Sequence, residues 1–413
     1  MMTFRKISAH SVGRFVMAYY TEESPDREYL SKSKLEHTPD SGGRLTEYYT
    51  GRNTRAEWRK EMAGDIAAEL GIDSHLAPRS EELGRLFEGK RADTGEVWAG
   101  QKREISAYDL TVAPHKSVTL AAEFAETQAE AGAIRHAIML ANDATMKYVA
   151  RELGWARKGK GGMDGADPGA VGWVSFFHHT ARPTLHIEDT ATGATYLAEV
   201  KIPGDPQDHI HNALFNLVKT EAGRAGSLDT QRLHDRVHEF GAYFQAQLAQ
   251  RLREYGIGLR MDKKEEAAVL SAIPDYAVKN FSKGRRHVER SAKAFAKRQG
   301  LDWDDLSFER KTSMMQAAAI ASRYNKDTGL TERQIWRQQA DQIGWKHNSV
   351  FQGVEAAILT DEERFNVAYA FAARQLAKEF RTTAVVDHDK LRVYAARGFI
   401  STGIDGPQDI DRV

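Results

Sequence analysis

DPQDHIHNALFNLVK, residues 205–219, sets the architecture of this chain. Read as a β-strand over 208–219, it puts residues i and i+2 on one face. His209 and His211 then project side by side, and Ile210 and Asn212 face the other way. A second run, VGWVSFFHH at 171–179, is also rich in β-formers and ends in His178-His179. Neighbours in a strand face opposite sides, so only one of that pair can share a site with His209 and His211. Between the two runs, residues 184–202 read as strand, turn and strand around Thr192-Gly193. Upstream, EISAYDLTVA at 104–113 alternates. Tyr108, Leu110 and Val112 take one face, and Ala107, Asp109 and Thr111 the other.

Helices fill much of the rest. Trp58, Met62, Ile66 and Leu70 fall at helical spacing within 54–71, with Gly71 as C-cap. A long helical region is expected over about 117–153, with Ser117 as its N-cap. RKGKGGMDGADP (157–168) reads as a Gly-rich loop. Further helices are expected near 229–255, 287–299, 306–323, 331–342 and 362–381. The chain thus divides into a mixed α and β part (1–265), a helical part that is basic in places (266–345) and a small helical piece (346–413).

Composition narrows the function. Of 413 residues, 58 are Lys or Arg and 58 are Asp or Glu, so bulk charge does not hold duplex DNA here. A local basic groove stays open, and Lys158, Lys160, Lys283, Arg285 and Arg286 are candidates to follow a nucleic-acid backbone or to line solvated faces. Cysteine is absent, which excludes disulfides, thiolate metal sites and cysteine nucleophiles. No apolar run approaches the roughly 18 residues of a membrane span. The opening MMTFRKISAH lacks the apolar core of a secretory signal. These features predict a cytoplasmic protein with no membrane insertion.

His209 and His211 fit either two ligands of one metal or a polar pair on a solvated strand face. With His178 they would make a neutral, open, three-imidazole site suited to Mg, Mn or a softer divalent ion. Asp109 suits orienting a ligand imidazole, accepting a proton or capping a turn. Lys116 fits a phosphate contact or solvated surface. Tyrosines come in two pairs, Tyr19-Tyr20 and Tyr48-Tyr49.

The combination resembles the MobF-class conjugative relaxases, the plasmid TraI/TrwC-type DNA transferases. The tyrosine pairs, Trp58 and Glu69-Leu70-Gly71-Ile72 resemble the start of that family. Asp109-Leu110-Thr111 with Lys116-Ser117-Val118 is similar to its D-L-T-F-x-x-P-K-S-V segment. Phe177-His178-His179-Thr180-Ala181-Arg182 is similar to F-x-H-x-T-S-R, and Pro206-Gln207-Asp208-His209-Ile210-His211 to P-Q-L-H-T-H. Phe281-Ser282-Lys283 opens a segment like F-S-x-R. The matches keep the family's order over residues 1 to about 345. The chain departs in three places. About 27 residues separate Tyr20 from Tyr48, which makes Tyr29 an alternative second tyrosine. The stretch from Arg182 to Asp205 is longer, and Pro114 comes one place early, with His115 in the family's proline position.

The resemblance implies an α+β fold: a two-layer sandwich with a five-stranded antiparallel palm and flanking helices, followed by helical fingers over the DNA. It implies strand-specific nicking and religation at a plasmid transfer origin through a 5′-phosphotyrosine link. Tyr19 would be the first nucleophile, with Tyr20 as its local alternative and Tyr48 or Tyr49 for a later step. His178, His209 and His211 would hold the divalent ion and Asp109 would steer one imidazole. The implied partners are single-stranded and hairpin DNA, relaxosome accessory proteins and conjugative coupling proteins, and the protein would travel to a recipient cell with the DNA. Residues after 346 resemble the small helical region that precedes a helicase in the family. The chain has no G-x-x-x-x-G-K-[ST] phosphate loop, so no ATPase is expected here. The rival readings are a rolling-circle replication initiator, a transposase-type tyrosine nuclease, a metal hydrolase using bound water, and a non-enzymatic DNA-binding module.

Overall fold

The computed structural model describes residues 2–9, 55–58, 64–73, 75–76, 79–100, 104–159, 162–181, 186–188, 195–197, 205–262, 267–306, 310–311, 314, 332–351 and 359–413. Its strands are β1 (Met2–Ser8), β2 (Arg55–Trp58), β3 (Ile105–Val112), β4 (Trp155–Arg157), β5 (Ala166–Ala181), β6 (His186–Glu188), β7 (Thr195–Leu197), β8 (Asp205–Thr220), β9 (Ala225–Gly226), β10 (Leu259–Asp262) and β11 (Ala267–Leu270). Its helices are α1 (Gly64–Leu70), α2 (Ser80–Phe87), α3 (Lys116–Glu123), α4 (Gln128–Leu153), α5 (Gln231–Glu254), α6 (Asp275–Asn280), α7 (Lys283–Arg298), α8 (Glu332–Gln342), α9 (Asp361–Glu379), α10 (His388–Gly398) and α11 (Gln408–Arg412).

Five strands form the main sheet in the order β1-β3-β8-β5-β2, every pairing antiparallel. The short strands β4 and β9 extend it from β5 and β8. The palm expected from the resemblance is therefore present. At its centre lie β5 and β8, each 16 residues long and apolar on both faces over much of their length. That pattern belongs to strands covered from both sides.

The alternation read from the sequence sorts the side chains correctly. Tyr108, Leu110 and Val112 join Trp173, Ile210 and Leu214 against Ile134 and Ile138 of α4 and Phe240 and Phe244 of α5. Ala107, Val174, Phe176, Ala213, Phe215 and Leu217 face the other way, against Ile66 and Leu70 of α1 and Leu83 and Leu86 of α2. This second apolar layer covers β8 over 213–217, and the same face carries His211 and His209 further along the strand.

The structure differs from the sequence reading at several points. Trp58 belongs to β2, which pairs with Val174 to Phe177 of β5, and not to the helix expected over 54–71. Backbone pairing to a sheet edge outweighs a helical spacing of four apolar residues, because local propensity is a weak prior beside tertiary contacts. The helix itself starts at Gly64, and Gly71 does end it, with φ +70°. The long helix expected over 117–153 is two helices. Thr127 caps the second, its hydroxyl accepting from the Glu130 N–H at 3.2 Å.

Ser117 is not the N-cap of α3. His115 takes that place, its ring accepting from the Ser117 N–H at 3.1 Å. The buried Ser117 hydroxyl instead accepts from the Leu270 N–H of β11 at 3.0 Å, tying the β10–β11 hairpin to α3. That hairpin spans residue 265, the first expected domain boundary. The hairpin expected around Thr192-Gly193 is present as β6 paired with β7.

The C-terminal helices dock on α5. Gln247 donates to the Ile404 carbonyl at 3.0 Å, and Arg253 donates to the Ser401 carbonyl. Arg392 of α10 reaches the fully buried Glu239 of α5 at 2.9 Å. Among the described residues, no helix is long and apolar enough to cross a membrane.

Candidate metal and DNA site

Antiparallel pairing brings the three histidines together. His178 on β5 and His209 on β8 are direct cross-strand partners. His211, two residues along, lies opposite Phe176 on one side and Thr111 of β3 on the other. The ring centroids of His178 and His209 are 5.2 Å apart, those of His178 and His211 4.9 Å, and those of His209 and His211 5.0 Å. One nitrogen from each ring lies within 4.8 Å of the others. His179 points to the opposite face, as strand parity requires.

Two of the rings are held through Nδ1. His209 donates from Nδ1 to the Gln207 carbonyl at 2.9 Å, and a carbonyl only accepts. His211 directs Nδ1 at both carboxylate oxygens of the buried Asp109, each at 3.0 Å. The Thr111 hydroxyl lies 3.0 Å from the same nitrogen and 3.3 Å from the Asp109 carboxylate. In both rings a cation would therefore be taken by Nε2. Burial, with the adjacent His211, pushes the His209 pKa down to about 3, so its imidazole stays neutral at physiological pH.

This donor set fits a divalent metal. Three neutral imidazoles supply borderline ligands on one side of an ion, and the carboxylate behind His211 fixes its tautomer as outer partners of metal ligands do. Asp109→Ala is expected to weaken divalent-metal binding about 10–100-fold without unfolding the chain. Calorimetric metal titration checks this, and unchanged affinity would remove Asp109 from the site.

Thr111 and Gln207 were not singled out from the sequence as parts of the site. Thr111 was legible as a residue on the Asp109 face, but its closeness to His211 depends on the β3–β8 register. Lys116, read as a phosphate contact or surface residue, donates to the Pro206 carbonyl at 2.6 Å and so ties α3 to the start of β8.

The remaining candidates fall as follows. Tyr19, Tyr20, Tyr29, Tyr48, Tyr49 and Lys160 lie outside the described residues. Lys158 sits on the surface, 3.5 Å from Asp167. Lys283, Arg285 and Arg286 open α7, and their side chains are outside the described residues.

Comparison with known proteins agrees with this geometry. The family model described as TrwC relaxase matches residues 16–343. A metal-bound structure of conjugative relaxase TrwC in complex with oriT DNA matches with a TM-score of 0.55 at 22% identity, over 84% of this chain and 99% of that one. A copper-bound TrwC–oriT DNA structure matches with a TM-score of 0.56 at 23% identity, over 84% and 99%. TrwC complexed with a 27-mer DNA comprising the recognition hairpin and the cleavage site gives a TM-score of 0.56 at 21% identity, again over 84% and 99%. These structures share the fold, an antiparallel palm of five strands with helices around it. No curated protein matches the chain. With most of its length matched by one family model and its histidines converging on one face of that palm, the chain belongs to the TrwC relaxase family and is a DNA relaxase.

Proposed function

We propose that this relaxase nicks and rejoins one DNA strand at a transfer origin through a covalent tyrosine–DNA link, with His178, His209 and His211 holding a divalent ion. The observation that carries the reading is the convergence of three imidazoles, one of them backed by a buried carboxylate. Structures of TrwC with oriT DNA, recognition hairpin and cleavage site support the substrate class.

The chemistry follows from the residue types. A bound divalent ion would polarise the scissile phosphate and offset its developing charge. Neutral imidazole ligands leave that positive charge undiminished, unlike a carboxylate cage. Tyr19 is assigned as first nucleophile, with Tyr20 as its local alternative. Its phenol has an ordinary pKa near 10, so it must lose its proton as it attacks. Attack leaves a 5′-phosphotyrosine and a free 3′-hydroxyl, and the link conserves the bond energy for religation. Asp109 orients His211 and is also assigned to accept a proton. Tyr48 or Tyr49 is assigned to a second cleavage while the first tyrosine remains esterified. Lys158, Lys160, Lys283, Arg285 and Arg286 are assigned to the DNA backbone. Residues 1–265 are assigned as the catalytic palm, 266–345 as fingers and 346–413 as a helical extension. Accessory and coupling proteins, and passage into a recipient cell, belong to the same reading.

The test is a gel. Labelled single-stranded origin DNA is incubated with the protein and Mg or Mn. A covalent protein–DNA adduct is expected. Nicked product without adduct would indicate hydrolysis by bound water, and binding without cleavage a DNA-binding module. Tyr19→Phe is expected to remove the first adduct. Undiminished adduct would move the nucleophile to Tyr20 or the later pair, and mass spectrometry of the adduct identifies which.

A further inference from the structure

We propose that His179 and Asp208 form a clasp on the reverse face of the palm that sets the spacing of His178 and His209. This rests on the reading of the three histidines as a metal site.

The positions follow from strand parity. His178 and His209 are cross-strand partners on the site face. The residue after one and the residue before the other, His179 and Asp208, project to the opposite face, where His179 Nδ1 lies 2.8 Å from Asp208 Oδ1. The β5–β8 register shifts between His178 and Thr180, so the pairing is irregular right beside a ligand. At such a bulge the backbone ladder loses its hold on the register, and side chains must restore it. Asp208 is fully buried and anchored twice. Its N–H donates to the Thr119 hydroxyl of α3 at 3.0 Å, and its carboxylate lies 3.7 Å from Arg135 Nε of α4. The Phe177 ring lies 4.8 Å from that of His179. The clasp thus ties β5 to the stretch of β8 that carries the extra residue, 207–208, and to the helix layer behind.

Glu123, His179 and Asp208 also have the mutual spacing of metal ligands. The charges around them argue against a second ion. Arg135 pairs with Glu123 and faces Asp208, and Arg333 lies 3.2 Å from Glu123. Guanidinium groups already supply the positive charge that a cation would bring. A divalent ion would have to displace them or sit against them.

Cobalt(II) titration of the full chain, followed by calorimetry and by the visible absorption of the bound ion, tests the clasp. One cobalt per chain is expected in the wild type. His179→Phe, which keeps a ring but loses the hydrogen bond, is expected to weaken cobalt binding about 10-fold and to change the absorption bands, because outer groups that position ligands carry effects of that size. His179→Asn, whose amide nitrogen can take the place of Nδ1, and Asp208→Asn, which keeps an acceptor oxygen, are expected to stay close to wild type. A merely structural role would lower thermal stability without altering the spectrum of the bound ion. Wild-type affinity and spectrum in His179→Phe would overturn the clasp. Two cobalt ions in the wild type falling to one in Asp208→Asn would overturn it in favour of a second metal site. No cobalt bound by the wild type would overturn the three-histidine reading itself, and the clasp with it. Should His179→Phe not fold, Thr119→Val, which removes only the tether on Asp208, carries the comparison. A weaker loss in the same direction supports the clasp, and none overturns it.

Discussion

His209→Ala is expected to abolish DNA cleavage and metal binding while leaving affinity for hairpin DNA nearly intact. His209 is one of three converging imidazoles, and it is the cross-strand partner of a second. Its removal leaves two ligands, so the loss of metal affinity should exceed the 10–100-fold that removal of an outer partner costs. Under the proposed function, DNA affinity would rest on contacts to many phosphates, which this substitution would not touch. Metal titration, a cleavage gel and hairpin binding at fixed salt make the comparison. An equal loss of DNA affinity would count against a metal role, and chelation of the wild type should reproduce the variant's loss of cleavage. The same substitution has a signature without metal. Folding lowers the His209 pKa from 6.5 to about 3, so below 6.5 the unfolded chain takes up a proton that the folded chain refuses. The stability due to the neutral ring is complete above pH 6.5 and is lost progressively as pH falls toward 3. His209→Ala should remove that component from the acid limb of the metal-free stability profile.

Glu239→Ala is expected to cost about 3–5 kcal/mol of stability, the range for breaking one side of a buried ion-pair network. Glu239 is fully buried on α5. Its carboxylate accepts from Arg236 at 2.8 and 3.0 Å and from Arg392 of α10 at 2.9 Å. The Tyr148 hydroxyl of α4 donates to it as well. Burial, together with the neighbouring Glu239 charge, raises the Tyr148 phenol above its ordinary range, so it stays protonated and serves as a donor. Alanine would leave two largely buried guanidiniums facing an empty space. Glu239→Gln keeps the volume and an acceptor oxygen and should cost less. Urea unfolding at neutral pH measures both. Because Arg392 lies on α10, the alanine variant should also loosen residues 388–413, seen as earlier proteolysis there, while metal binding at the histidines persists. A cost under 1 kcal/mol would show that this network does not hold the C-terminal helices to the palm.

The sequence was most informative where one periodicity applied without competition. Alternation in β3 placed Asp109 and Thr111 on the face away from Leu110, and the structure puts both beside His211. The same parity separated His178 from His179 and Asn212 from His211. Asn212 turns to the helix layer, where it bonds Asn142 and Ser175. The reading failed where two tendencies competed. Trp58 fits a helical spacing, yet a free sheet edge beside β5 claims its backbone. Ser117 has the chemistry of a cap, yet the β10–β11 hairpin claims its hydroxyl. Glu239 gave no signal at all, because a glutamate in an amphipathic helix looks the same whether it meets water or is buried against an arginine one turn away and another more than 150 residues along the chain.

Local chemistry, then, was enough to establish which side chains share a strand face, which residue types can ligate a cation, and which family's motifs recur in order. These properties depend on neighbours within a few positions along the chain. Tertiary structure alone settled that the three imidazoles converge, that Asp109 backs His211, that Asp208 is buried behind the site, and that α10 is latched to α5. Those facts depend on register between strands about a hundred residues apart in the case of β3 and β8, and on the packing of helices onto the sheet. A one-residue slip in that register would reverse every face without changing any local preference.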